Sequence, residues 1–395
     1  MFKKILFGFL FLLTAGLLIF FTVLPALVEK QKNTVTGIGL LPIENKTRQL
    51  HKELVIADLH ADSLLWGRDL SKRSDRGMVD FPRMREGNHA LQVFSVVTKT
   101  PRGLNITRNN NDTDNITLLA IAQRWPWRTY TSLTERALYQ AERLHKMSAR
   151  SNGQFEIITN RTQLADFLQR RKKRPELSGG LLALEGAQAL EGNLENLQKI
   201  SAAGYRIISP AHFFDTEVGG SAHGWHKGGL TEFGKQWVKK MDRACLIIDL
   251  SHASKKVFNE ILALTTRPVV VSHTGVKGTC RNNRNLSDAQ IKKVAENGGL
   301  IGIGFWSVAT CGDKPADIAR AIKYAVSVAG VEHVALGSDF DGAVTLPFDV
   351  SDIVQITQAL KNKGFTGSEI EAIMGGNVIR FLAQSLGDQS CYSHP

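Results

Sequence analysis

Eight short apolar runs alternate with amphipathic helical segments along most of this chain of 395 residues, and that alternation restricts the fold more than any other feature. The runs are 54–57, 91–97, 180–184, 205–209, 245–249, 268–272, 300–305 and 333–337, and helical patterns such as 133–147, 194–203, 231–243, 254–264, 287–296 and 315–328 lie between them. Continuous β-branched runs of this length are strands buried on both faces, and helices between them make βα units of a parallel sheet. Eight units over roughly 330 residues predict a (β/α)8 barrel of the TIM type, with a doubly wound open sheet as the alternative. The composition, 43% hydrophobic and 22% charged, excludes wholesale disorder.

Ligand-type side chains follow five of these runs: Asp58-Leu59-His60-Ala61-Asp62, Glu185, His252, His273 and Asp339. In a parallel barrel all these ends open on one face, where such enzymes keep their active sites. If the first strand continues, alternation places Asp58, His60 and Asp62 on one side, where two of them can grip one metal ion. Glu185 directly follows an apolar run and is costly to bury without a partner. Its two oxygens can span metal ions ~3.5–4 Å apart. Imidazoles such as His252 and His273 suit Zn²⁺, and Asp339 is placed to move a proton during hydrolysis. On these residues alone the chain reads as a metallohydrolase.

Lys3 and Lys4 precede an uncharged apolar stretch, 5–28, long enough at ~1.5 Å per residue to cross a hydrocarbon core of ~30 Å. Residues 18–28 fit neither the short apolar core nor the cleavage site of a secretory signal, so 1–30 reads as a signal anchor. The N-terminal lysines predict that residues 31–395 lie outside the cytoplasm. Residues 31–50 read as a polar tether, 51–386 as the catalytic domain and 387–395 as a polar tail. A net charge of +12 suits an anionic surface. The densest run, Arg170-Arg171-Lys172-Lys173-Arg174, has no interleaved aromatics, so it reads as a solvated helix end and no nucleic-acid partner is expected. Four cysteines are too few for a disulfide scaffold. Cys280 and Cys311 each follow a strand end and can bridge in an oxidising compartment; Cys245 reads as a core thiol and Cys391 as free or paired with another chain. Residues 102–117 read as an exposed loop, with Trp125 and Trp127 packing under it or lining a pocket mouth.

Taken together, these residues resemble the membrane dipeptidase (renal dipeptidase) family of zinc peptidases over residues 50 to 386 or so. His60 and Asp62 match the family's His-x-Asp, Glu185 its bridging Glu, His252 and His273 its later histidines, and Asp339 the catalytic Asp of its Gly-x-Asp-Phe-Asp-Gly motif. The stretches 80–87 and 229–234 are similar to family segments as well. The family's substrate-contacting His is matched by His212, its carboxylate-binding Arg by Arg284, and the spacing of Cys280 and Cys311 is similar to a family disulfide.

The resemblance implies a (β/α)8 barrel holding two Zn²⁺ ions, one on His60 and Asp62, the other on His252 and His273, with Glu185 shared. A hydroxide between the ions would attack the peptide carbonyl of a free dipeptide, including one ending in a D-residue. Asp339 would deliver a proton to the departing amine, His212 would polarise the carbonyl or stabilise the oxyanion, and Arg284 would hold the substrate carboxylate. The family also implies a homodimer. Another barrel metallohydrolase, a deacylase or lactonase, is the rival class. Gln188 and Asp215 stand where the family often has His and Asn, which bears on substrate preference. The tail carries no glycolipid-anchor signal, so the N-terminal segment is expected to do the anchoring.

Overall fold

The computed structural model describes residues 2–388 and 391. Eight parallel strands make the barrel: β1 (Ile56–Ala61), β2 (His89–Val97), β3 (Ser178–Glu185), β4 (Tyr205–Ile208), β5 (Ile247–Ile248), β6 (Val270–Thr274), β7 (Leu300–Ile303) and β8 (Val334–Leu336). They pair in the order β5-β4-β3-β2-β1-β8-β7-β6. A parallel bridge between Asp249 and Val270, with the Leu250 amide donating to the Val270 carbonyl at 2.8 Å, joins the two ends. The barrel is therefore the expected one and the open sheet is excluded. A further strand, Phe155–Ile157, pairs with β3 outside the ring.

Period-two alternation sorts the strand side chains. Ala57, Leu59, Leu91, Val93, Leu181, Ala183, Ile207, Ile247, Val270, Leu300 and Ala335 meet in one buried cluster to which every strand contributes. Alternating residues such as Phe94, Leu182, Ile208, Ile248, Val271 and Ile301 pack instead with the helices in a larger cluster. The helices begin where the chain supplies caps: Thr231 Oγ1 accepts from the Gly234 amide at 3.0 Å and Ser254 Oγ from the Val257 amide at 3.1 Å.

α1 (Phe2–Thr22) is apolar, with none of its residues buried, and is long enough to cross a membrane. The chain turns at Val23 and continues as α2 (Leu24–Lys32). Glu29 of α2 is 1% exposed, held between the Arg68 guanidinium and Arg76 Nε, the latter at 2.7 Å. Arg68 passes on to the Asp341 carboxylate.

Residues 31–50 are not the polar tether that their lack of period suggested. Thr34–Val35 pair in parallel with Thr345–Leu346. The Leu41 amide donates to Gln355 Oε1 at 2.7 Å, the Glu44 amide to Gln358 Oε1 at 3.0 Å, and a helix follows at Asn45–Glu53. Much of this segment is anchored by backbone-to-glutamine bonds, which leave no hydrophobic period to read. Arg171 also departs from the solvated helix end: it is buried, with Nη2 donating to Asn88 Oδ1 at 2.8 Å, while Lys172, Lys173 and Arg174 stay exposed. Cys280 is bonded to Cys311, as expected, whereas Cys245 is bonded to Cys391, so Cys245 is not a core thiol and Cys391 is neither free nor available to another chain.

A boundary at residue 31 thus cuts through a folded unit. Removing Glu29 leaves Arg68 buried and short of one anion, a change worth roughly 3–5 kcal/mol. The protein 31–395 is expected to melt below 24–395, and Glu29→Gln in the longer protein to reproduce much of the loss. Equal melting temperatures for all three proteins would show that α2 contributes nothing to the domain.

Candidate metal centre

Each ligand-type side chain reaches the site from the C-terminal end of a strand or the loop just beyond it. The pairing of β1 with β2 slips register between Asp58 and Ala61. Asp58 Oδ1 accepts from the His60 amide at 3.1 Å and the Ser338 amide at 2.9 Å, tying β1 to the loop after β8. His60 and Asp62 lie together as expected, with Nε2 and Oδ1 3.4 Å apart.

Glu185, at the end of β3, is the centre of the cluster. Its Oε1 lies 3.0 Å from His252 Nε2, 3.4 Å from His273 Nε2 and 3.7 Å from His60 Nε2, and its Oε2 lies 3.3 Å from His212 Nε2. His252 Nε2 and His273 Nε2 are 3.1 Å apart. Asp339 Oδ1 stands 3.9 Å from His60 Nε2. All of these residues are buried. Both Glu185 oxygens, His60 Nε2 and Asp62 Oδ1 have no hydrogen-bond partner among the described residues. Orphaned buried polar atoms are rare because each forfeits its desolvation energy. Nitrogen and carboxylate oxygen atoms converging in this way fit a divalent transition-metal ion. His60, Asp62 and Glu185 form one group with ligand atoms within 4.8 Å of one another, and Glu185, His212 and His252 form a second.

The electrostatics point the same way. Burial, reinforced by the Asp62 charge, holds Glu185 well above the usual carboxylate range, and burial pushes Asp339 up to about 8. Burial opposes a charge on His60, but Glu185, Asp62 and Asp339 outweigh it and raise its pKa to about 10. Burial pushes His212, His252 and His273 well below the ordinary range, leaving neutral imidazoles with lone pairs to give. Arg284 lies alongside, its Nη1 donating to the Ser251 carbonyl and its Nη2 to the His273 carbonyl, both at 2.7 Å, with Nη2 3.5 Å from His252 Nε2.

The loop carrying Asp339 is strained and firmly stapled. Asp339, Asp341 and Ala343 have φ of 64°, 64° and 60°, the left-handed region that non-glycine residues rarely occupy. Asp341 holds this shape: Oδ1 accepts from the Met78 amide at 2.6 Å, and Oδ2 accepts from Ser63 Oγ at 2.6 Å and from Arg68. The 102–117 loop is largely exposed, as expected, but is pinned at Asn109 and Ile106. The Asn109 amide donates to the His223 carbonyl at 2.8 Å, and the Ile106 carbonyl lies 2.8 Å from His223 Nδ1 and accepts from Asn283 Nδ2 at 3.1 Å. The His223 ring stands 5.2 Å from that of His252, so the loop closes over this side of the site. Trp125 packs beneath it with Leu65, Trp66 and Val97, while Trp127 is 81% exposed.

The Asp215 carboxylate is engaged within its own loop. It accepts from the Ser221, His226 and Lys227 amides at 2.9, 2.7 and 3.3 Å, which organises the loop with more acceptors than an Asn offers. Gln188 is buried next to Glu185, with Nε2 donating to Thr98 Oγ1 at 3.2 Å and to the Glu185 carbonyl at 3.0 Å. Residues not singled out from sequence are Ser272, which touches both His60 and His273, Asp249 and Ser251 behind it, and His223. Adjacency to His252 and His273 is the signal that could have found the first three. His223 stands in a glycine-flanked loop, and no pattern marks it.

A closed parallel barrel with histidine and carboxylate donors gathered at its strand ends defines a metal-dependent barrel hydrolase. Residues 44–389 match the membrane dipeptidase family, peptidase family M19, and the chain belongs to it. Dipeptidase aclJ of Aspergillus oryzae is 28% identical over 379 residues, 89% of this chain and 83% of its own length. The dipeptidase AC, a metallo peptidase of family M19, has the same fold with a TM-score of 0.68 at 24% identity, over 85% of this chain and 99% of its own. A metallo peptidase from Rhodobacter sphaeroides, liganded with a phosphinate mimic of the dipeptide L-Ala-D-Ala, matches with a TM-score of 0.66 at 23% identity, over 84% of this chain and 99% of its own. Family and site together make this a metal-dependent dipeptidase.

A cation relieves the repulsion among Asp62, Glu185 and Asp339, so it binds the folded state selectively and stabilises it. Chelation is expected to lower the melting temperature, and restoring a divalent metal to raise it again with release of protons at neutral pH. Melting unaffected by chelation would take the metal out of this site.

Proposed function

We propose that the protein is a zinc-dependent dipeptidase with two metal ions per subunit, one held by His60 and Asp62 and the other by His252 and His273, with Glu185 shared. The convergence of four histidines on Glu185, with the Asp62 and Asp339 carboxylates beside His60, carries this reading. When bound, zinc brings the pKa of water to near 7 and polarises a carbonyl. The chain's own residues supply orientation and proton transfer.

Arg284 binds the C-terminal carboxylate of the substrate with a guanidinium that stays cationic at neutral pH, its pKa lowered by burial only to about 10. Arg284 Nη2 lies 3.5 Å from His252 Nε2, so the clamp stands close to the metal ligands and leaves room for one residue after the scissile bond, as in a dipeptide. His212, neutral and with Nδ1 unpartnered among the described residues, polarises that carbonyl and stabilises the oxyanion. Asp339, held beside His60 by its strained loop, carries the proton to the departing amine. The Rhodobacter sphaeroides relative liganded with the L-Ala-D-Ala mimic supports including dipeptides with a C-terminal D-residue. α1 anchors the enzyme with the domain on the extracytoplasmic side, a placement that the disulfides Cys245–Cys391 and Cys280–Cys311 support.

The full chain, assayed on L,L- and L,D-dipeptides after chelation and after zinc is restored, is expected to cleave free dipeptides only with zinc and to leave their C-terminal amides intact. Cleavage of the amides at the same rate would remove Arg284 from recognition and favour a deacylase. His212→Ala is expected to reduce turnover about 10²–10³-fold, the loss typical of an oxyanion donor, with zinc content unchanged. A drop in bound zinc would instead make His212 a ligand, as its grouping with Glu185 and His252 permits.

A further inference from the structure

Behind the imidazoles lies a buried cluster that the reaction itself does not use. Ser272 Oγ is 2.6 Å from Asp249 Oδ2, 3.1 Å from His60 Nδ1 and 3.0 Å from His273 Nδ1. Ser251 Oγ is 2.6 Å from Asp249 Oδ1, and the Ser251 and Ser272 amides both donate to that same oxygen at 3.0 Å. Ser272 is fully buried. A Cβ on Gly302 or on Gly337 would lie 2.1 Å from the Ser272 carbonyl oxygen, so the backbone here is clamped by neighbours that must be glycine.

A hydroxyl has one proton to donate and two lone pairs to accept with. Each Asp249 oxygen lies 2.6 Å from one of the two hydroxyls, and Oδ1 accepts both backbone amides as well, so the protons of Ser251 and Ser272 both point at Asp249. The 3.0 Å approach of the two hydroxyls is then a contact between committed donors. Both lone pairs of Ser272 remain, and the atoms facing them are the Nδ1 nitrogens of His60 and His273. Each ring therefore carries its proton on Nδ1 and leaves Nε2, the atom facing Glu185, as the donor to a metal. His252 has no such support: its Nδ1 has no hydrogen-bond partner among the described residues.

We propose that Asp249 and Ser272 form one relay that sets the ring orientation and tautomer of His60 and His273 together, and so couples the two halves of the metal site. The inference rests on the two-metal reading above. Ser272 is a positioning residue: it touches ligands from both halves, and its single hydroxyl fixes the spacing between them. Outer partners of ligating histidines typically contribute 10–100-fold in metal affinity, so Ser272→Ala is expected to weaken both zinc ions by that factor.

The test is zinc binding to the full chain by competition with a chelator, together with nitrogen–proton correlation spectra of the imidazoles in the zinc-loaded protein. Wild type is expected to take two zinc ions and to show slowly exchanging Nδ1–H protons for His60 and His273. Ser272→Ala should weaken both ions and remove both protected protons, while that of His223, held by the Ile106 carbonyl, persists. Asp249→Asn keeps the shape of the side chain but no longer dictates the direction of the serine proton, and it should weaken both ions even if Ser272→Ala fails to fold. Wild type that takes two zinc ions but lacks the two protected protons overturns the relay, as do variants that bind zinc like wild type. Wild type that takes up no zinc overturns the functional reading itself, a different outcome.

Discussion

Glu185 sits at the end of β3 with four imidazole nitrogens within 3.7 Å and no hydrogen-bond donor for either oxygen among the described residues. A bare carboxylate cannot be stable there, because burial strips its hydration and the nearby carboxylates add repulsion. Positive charge must be shared around it, by protons on the histidines or by metal ions, and three of the four imidazoles are arranged for the second. His212, His252 and His273 are kept neutral by burial, and a neutral imidazole gives its lone pair to a metal. Asp58, Asp249 and Ser272 stand behind the donors and tie strand ends to each other, so the donors are preorganised.

A second chain of buried charge secures the loop that carries Asp339. Three non-glycine residues with left-handed backbones lie within five positions, and such a loop survives only when its surroundings over-determine it. Asp341 does this through the Met78 amide, Ser63 and Arg68, and Arg68 is neutralised in turn by Glu29 of α2. The helix following the apolar N-terminal segment is therefore joined by ion pairs to the loop that presents the proposed proton carrier. Truncation of a buried ion pair is more damaging than its absence, because the remaining charge stays desolvated. The N-terminal segment and the catalytic face thus form one electrostatic unit, although more than 300 residues separate Glu29 from Asp341 in sequence.

The barrel and the ends of its strands were legible because both depend on local pattern. Runs such as 180–184 and 300–305 are short and wholly apolar, as buried strands between helices are, and a charged residue immediately after such a run announces a strand end. His60, Asp62, Glu185, His252, His273 and Asp339 were readable for that reason, and the structure gathers them. Asp58, read as sharing their side, has one carboxylate oxygen taken up by the His60 and Ser338 amides, a contact that depends on how β1 meets the loop after β8. The segment 31–50 looked like a tether because its partners Gln355 and Gln358 lie some 300 residues away. Cys245 and Cys391 are separated by 146 residues, and no local pattern records their pairing.

By itself the sequence determined the class of fold, the strand ends that carry donors and the residue types at those ends, because hydrophobic period and residue chemistry are local properties written position by position. Only the tertiary structure decided which donors share a centre, that Ser272 serves two histidines at once, and that Glu29 belongs to the catalytic domain. Those facts depend on distances of about 3 Å between groups far apart in the chain. Such distances come from closing the barrel and fixing its register, steps whose energy is spread over many contacts and leaves no mark on any single residue.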